Sequence, residues 1–194
     1  MSKGRLEAFS DGVIAILITI MVLELKVPDG NDWNALRQIV PVFLTYVLSF
    51  IFLGIYWNNH HHMLHTVHRV NGKILWANLH LLFWLSLVPF VTGWMGENHV
   101  APVPTAVYGI VMLFSAIAYT ILFRIILRSE GPESRLARAV GSDLKGNLSL
   151  ACYLISIPMA FVRPWIAIGV YVFVALIWLV PDKRIEKALR IEES

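Results

Sequence analysis

Charge disappears from Gly12 to Leu23, inside an apolar run that extends from Leu6 to Leu25. At ~1.5 Å per residue a helix over that run crosses a hydrocarbon core of ~30 Å. The same signal recurs along the chain. It predicts a second span over Arg37–Trp57, a third over Ile74–Trp94, a fourth over Thr105–Leu127, a fifth over Leu148–Val162 and a sixth over Trp165–Val180. The breaks agree with this division. Pro28-Asp29-Gly30-Asn31 is turn chemistry, and Asp32 or Asn34 can cap a helix that begins around Trp33. Pro41 lies near the start of the second span, where a missing N–H is tolerated, and Pro89 inside the third predicts a kink. Met95–Pro104 reads as a loop. A polar hinge, Arg128–Lys145, holds Gly131-Pro132 and a short amphipathic stretch, Glu133–Val140. Pro158 lies inside the fifth span, Arg163-Pro164 makes a tight turn, and Pro181-Asp182 ends the sixth before a charged tail. No segment repeats. The expectation is an all-α membrane protein of six transmembrane helices, one domain over residues 1–194.

Helical rotation sorts the first span into two sides. At about 100° per residue, with Ile16 as origin, Arg5, Phe9, Gly12, Ile16, Thr19, Ile20 and Leu23 fall within about 60° of one line. Asp11 falls on nearly the opposite side. A carboxylate at the edge of the bilayer is costly, so it is expected to face protein or water. One face of this helix can therefore line something while the other locks into neighbouring helices.

Composition changes the picture only by sharpening it. Of 194 residues 57% are hydrophobic and 15% charged, with a mean hydropathy of +0.66; soluble domains carry about 25% charged residues. The single cysteine, Cys152, excludes an intrachain disulfide. A net charge of +3 does not point to nucleic acid, because the basic residues flank apolar spans. Of 16 Lys and Arg, all but Lys26, Arg37 and Arg163 fall on the side of the N-terminus if six spans are threaded. That bias predicts that both termini are cytoplasmic. A cleaved leader is not expected: Asp11 interrupts the run and Glu24-Leu25-Lys26 offers no small-residue cleavage site.

Arg5-x-x-x-Phe9-Ser10-Asp11 at the start of the first membrane helix resembles the signature of the endolysosomal potassium channels called the transmembrane protein 175 family. Tyr56-Trp57-x-x-His60-His61, Asn78 and Pro89-Phe90 resemble that family's second and third helices, and the short prokaryotic members are similar in length. The resemblance implies a potassium-selective leak channel, a homotetramer, in a prokaryotic inner membrane, with one first helix per subunit lining the pore. It makes Ile16, five positions after Asp11, the narrowest ring. Thr19 adds hydroxyls, Leu23 a second apolar ring, and Ile20 lies on the same face. It places Arg5, Phe9, Ser10, Asp11, Trp57, His60 and Asn78 in a network that holds the pore helix, with His60 level with Asp11 so that the two are expected to touch. An apolar ring filters by dewetting and favours the ion that sheds water more cheaply. A proton-permeable channel or carrier of the same architecture is the alternative. The backbone-carbonyl filter Thr-Val-Gly-Tyr-Gly is absent, and Val107-Tyr108-Gly109 reads as ordinary helix.

His60, His61, His62, His65 and His68 support a rival class, a His-cluster membrane oxidoreductase. His61, His65 and His68 share the i, i+4, i+7 face that can bind a metal. No Asp or Glu joins the run, so a polar interfacial turn is the plainer reading. Asn78 and His80 read as packing residues, and Trp33, Trp57, Trp76, Trp94 and Trp165 as interfacial anchors. No nucleotide loop or nucleophile–base pair is visible, and no cofactor is expected.

Overall fold

The computed structural model describes residues 2–131 and 144–179, and these are helical apart from short connections. Helix α1 covers Lys3–Ile20 and runs into a single 3₁₀ turn, Met21–Glu24. Helix α2 covers Trp33–His65, α3 Gly72–Ser86, α4 Val88–Glu97, α5 Pro102–Glu130, α6 Leu144–Val162 and α7 Pro164–Leu179. Helices α3 and α4 are two halves of one span, separated at Leu87. Five spans are long and apolar enough to cross a bilayer, and α7 adds a shorter apolar helix of 16 residues.

Local chemistry sets these boundaries. The Asp32 carboxylate caps α2 by accepting the Ala35 N–H at 2.8 Å, and Asn71 caps α3 by accepting that of Ile74 at 3.0 Å. Pro89 lacks an N–H and lies in the first turn of α4, so the expected kink is there. Two elements run past their expected ends. Helix α2 has 33 residues, about 50 Å of helix, and continues two turns beyond Trp57. Hydropathy marks where the bilayer ends, not where the backbone bonds end. The histidine run is thus helix rather than an interfacial turn. Helix α4 likewise extends to Glu97, and the connection to α5 shrinks to Asn98–Ala101. His99 and Val100 both adopt positive φ there, 49° and 62°, held by bonds from Val100 N–H to Met95 O and His99 N–H to Gly96 O. The amphipathic stretch Glu133–Val140 and the stop at Pro181-Asp182 lie outside the described residues.

The long helix α5 is the hub. It packs against α3, α4, α6 and α7, while α1 packs against α2 and α3, and α2 against α4. The core holds Leu53, Ile74, Leu81, Leu85, Met112, Tyr108 and Tyr171. Gly109 leaves room for the Tyr171 hydroxyl, which donates to Thr105 O at 3.0 Å. Hydroxyls of Ser49, Thr92 and Tyr108 join α2, α4 and α5 at 2.7 and 3.0 Å. Two ties fix the ends of the bundle. Lys3 Nζ donates to His65 O at 2.7 Å, placing the start of α1 beside the end of α2. At the other end Lys26 pairs with Glu97, which raises the lysine's pKa above its ordinary value through that hydrogen bond.

Candidate functional site

One side of α1 is fully occupied by its own chain. Leu6, Ser10, Ile14 and Leu17 are buried, and Met21 continues that side into the 3₁₀ turn. The other side has no cover from its own chain. Phe9 is 50% exposed, Ile16 59%, Ile20 39% and Leu23 77%. Arg5, Gly12 and Thr19 are exposed on the same face. The 3₁₀ turn adds about 20° per residue relative to α-helix, so Leu23 shifts by about 60° and stays on the stripe. The Thr19 hydroxyl donates back to the helix, to Ile16 O at 2.9 Å or Ala15 O at 3.1 Å. Its proton is thereby committed, and its lone pairs remain on the uncovered face.

Of the motif residues, Ser10 and Asp11 enter two separate sets of bonds, while Phe9 stands on the uncovered side rather than in the expected network. Asp11 accepts the Trp57 indole N–H at 3.0 Å, joining α1 to α2. The expected Asp11–His60 contact is replaced. His60, buried at 1% exposure, lies 2.7 Å from the Asn78 amide oxygen instead. Asn78 donates through Nδ2 to Ser10 Oγ at 2.9 Å, and Ser10 donates to Leu6 O at 2.9 Å. The reason is rotational. Ser10 and Asp11 point about 100° apart on the helix, and it is Ser10 that faces the contact of α2 with α3. A neutral chain is also cheaper than a carboxylate at that buried place. Because Ser10 spends its proton on Leu6, it accepts from Asn78. The Asn78 oxygen then faces His60, so His60 Nε2 carries the proton, and Nδ1 is buried without a hydrogen-bond partner. Arg5 makes no hydrogen bond or ion pair among the described residues and stands exposed at the N-terminal end of the stripe.

The remaining histidines separate. His61 stacks on Trp57 and meets His62 and His65 edge-on. His68 lies beyond the end of α2, off the helical face assigned to it. It pairs with Glu130 of α5, through Nδ1 at 2.5 Å and its N–H at 3.0 Å. An acid does join the run, then, from 62 residues away. His80 accepts from the Trp84 indole at 3.0 Å. Trp57, two turns inside α2, is a bonding partner of Asp11 and not a terminal anchor. Among the described residues no three His, Cys, Asp or Glu side chains gather as a metal site. The ties His68–Glu130 and Lys26–Glu97 had no local signal in the sequence, since each joins residues far apart in the chain.

The fold defines a polytopic α-helical membrane protein in which α1 keeps one face uncovered by its own chain. Residues 5–89 match the family model described as the endosomal/lysosomal potassium channel TMEM175. The chain is 61% identical over 190 residues to a potassium channel of Chryseobacterium sp. (strain P1-3), covering 98% of this chain and 99% of that one. Its structure is similar, with a TM-score of 0.80 and 28% identity, to the crystal structure of a lysosomal potassium-selective channel TMEM175 homolog from Chamaesiphon minutus, over 93% of this chain and 97% of the other. The endosomal/lysosomal proton channel TMEM175 of Bos taurus is 38% identical over 101 residues, which cover 46% of this chain and 21% of that protein. The chain belongs to the TMEM175 family of potassium channels.

Proposed function

We propose that this chain is one six-helix subunit of a homotetrameric, potassium-selective leak channel of a prokaryotic inner membrane. In this reading its termini are cytoplasmic and four copies of α1 surround the pore. The observation that carries the reading is the uncovered face of α1, where Phe9, Ile16, Ile20 and Leu23 stand free while the opposite side is buried. One helix cannot enclose a path, so that face needs copies of itself. Ile16 forms the narrowest ring, and an apolar ring passes an ion only after the ion gives up water. Potassium holds its water less tightly than sodium, so it pays the smaller penalty. The Thr19 oxygen, its proton committed to the helix, offers lone pairs one turn further on. Leu23 forms a second ring toward the outside. Asp11, bonded to Trp57, and Ser10, bonded to Asn78, hold the helix against α2 and α3.

Likeness to a protein named as a proton channel supports a second reading, a proton-permeable pore on the same scaffold. The purified protein in liposomes distinguishes them. Imposed K⁺, Na⁺ and H⁺ gradients are applied in turn, and K⁺ flux is expected to exceed Na⁺ flux. Collapse of the H⁺ gradient with no K⁺ flux would replace the first reading with the second.

A further inference from the structure

A groove of about 830 Å³ opens between α3 and α5, with no residue of α1 in its lining. Asn71, Lys73, Trp76 and His80 line it from the α3 side, Ile121 and Ile125 from α5. We propose that it is a binding site for one anionic glycerophospholipid, whose phosphate meets the cations at the rim and whose acyl chain lies along the groove.

The groove is graded along its length. Asn71 donates to Ser129 Oγ at 3.1 Å, so the start of α3 and the end of α5 lie together at the end of the bundle that holds Lys3 and His65. Lys73 is exposed there and has no hydrogen bond or ion pair among the described residues. Arg124 and Arg128 fall on the same face of α5 as Ile121 and Ile125, at about 100° per residue, and are likewise exposed and unpaired among the described residues. The neighbouring acid, Glu130, is already engaged by His68. Among the described residues the rim, formed by Lys73 and Arg128, is therefore net positive, and Arg124 lies one turn deeper, about level with Trp76. One turn deeper stands the Trp76 indole, 75% exposed. Deeper still the walls are Ala77 and Ile121, and the His80 nitrogen is occupied by Trp84. Cation, then indole, then aliphatic wall is the order in which a phospholipid presents phosphate, glycerol and acyl chain. Basic pockets between membrane helices recognise anionic headgroups in this way. A soluble anion would use the rim and ignore the walls.

Trp76 makes the site readable without any measurement of conduction. The full chain is placed in phosphatidylcholine nanodiscs containing a small fraction of acyl-brominated phosphatidylglycerol or, separately, acyl-brominated phosphatidylcholine. The Trp76 fluorescence is obtained as the difference between the wild-type chain and Trp76→Phe. Brominated phosphatidylglycerol is expected to quench it at a lower fraction than brominated phosphatidylcholine. Lys73→Gln and Arg128→Gln should each reduce that preference by about fivefold, and Lys73→Arg should keep it. Raising the salt concentration on the wild-type chain should erode the preference as well, which tests the charge term even where a variant folds poorly. Equal quenching by the two lipids overturns the proposal, as does a preference indifferent to both salt and charge removal. Failure of either lipid to quench Trp76 would mean that protein, such as a second copy of the chain, covers the groove, and would also overturn it.

Discussion

Asn78 donates its amide proton to the Ser10 hydroxyl at 2.9 Å, and this bond places α3 against α1. Ser10 passes the chain of donors on to Leu6 O, while His60 of α2 completes it at the other end. Three helices thus meet through buried polar side chains, Ser10, Asn78 and His60. The middle member of the familiar Phe-Ser-Asp run is the one that faces the interior, and its acidic neighbour turns aside to Trp57.

Ser10→Ala should therefore destabilise the fold without altering the conduction path. It leaves a buried amide N–H with no acceptor, a cost of about 1–2 kcal/mol, moderated inside a membrane where the unfolded state also finds partners. Thermal unfolding in detergent reads this as a lower midpoint, and the reversal potential should stay at the wild-type value. A Ser10→Ala protein that melts with the wild type would show that the Asn78–Ser10 bond contributes nothing.

Asp11 and Trp57 form a separate tie. Asp11→Asn keeps an acceptor oxygen for the indole but loses the charge, and Trp57→Phe removes the donor. Both should lower the yield of assembled protein on size-exclusion chromatography and leave K⁺/Na⁺ preference unchanged, because the pair lies off the uncovered stripe. Arg5→Ala should also reduce assembly, since Arg5 finds no partner within its own chain among the described residues. A variant at Asp11 that assembles normally and changes ion preference would move that carboxylate into the permeation path.

The two-sidedness of α1 was legible because a helix of 3.6 residues per turn writes its environment into the spacing of side chains. The break near Pro89 was legible for a similar reason, since proline removes a donor wherever it stands. The length of α2 was not. Asn58, Asn59 and the histidines end the hydropathy signal, yet Asn59 donates to Ile55 O at 2.9 Å and His60 is buried, so the helix is held by packing beyond the apolar run. The partner of His60 was also hidden. Level along the helix axis suggested Asp11, but contact depends on rotation as well as depth, and one residue of rotation exchanges Asp11 for Ser10. The His68–Glu130 pair lies beyond any local pattern, because it is set by where α5 ends against the turn between α2 and α3.

Orientation is open to a direct test. The excess of Lys and Arg on the side of the N-terminus predicts that this side faces the cytoplasm. A reporter active only outside the cytoplasm should be silent when fused after Ser194 and active when inserted at Asn98, in the short connection between α4 and α5. Activity at Ser194 would remove the even number of crossings on which the assignment rests.

The constriction is the sharpest prediction. If four Ile16 side chains form the narrowest ring, their polarity should matter more than their length, because dewetting requires the ring to be apolar as well as narrow. Ile16→Asn should let water persist at the ring, so hydrated sodium passes and potassium preference falls. Leu23→Asn should have a smaller effect: Leu23 lies in the 3₁₀ turn at the end of the helix, and a second ring further out need not be the tightest. Thr19→Val should lower current while leaving assembly intact, since the hydroxyl bonds only within its own helix and its loss removes oxygen lone pairs from the stripe. Reversal potentials under bi-ionic K⁺/Na⁺ conditions, measured with conductance for each variant, order these effects. An Ile16→Asn channel with wild-type conductance and reversal potential would show that ions do not pass along this face of α1, and the uncovered stripe would then have to be explained by contact with lipid or a neighbouring subunit.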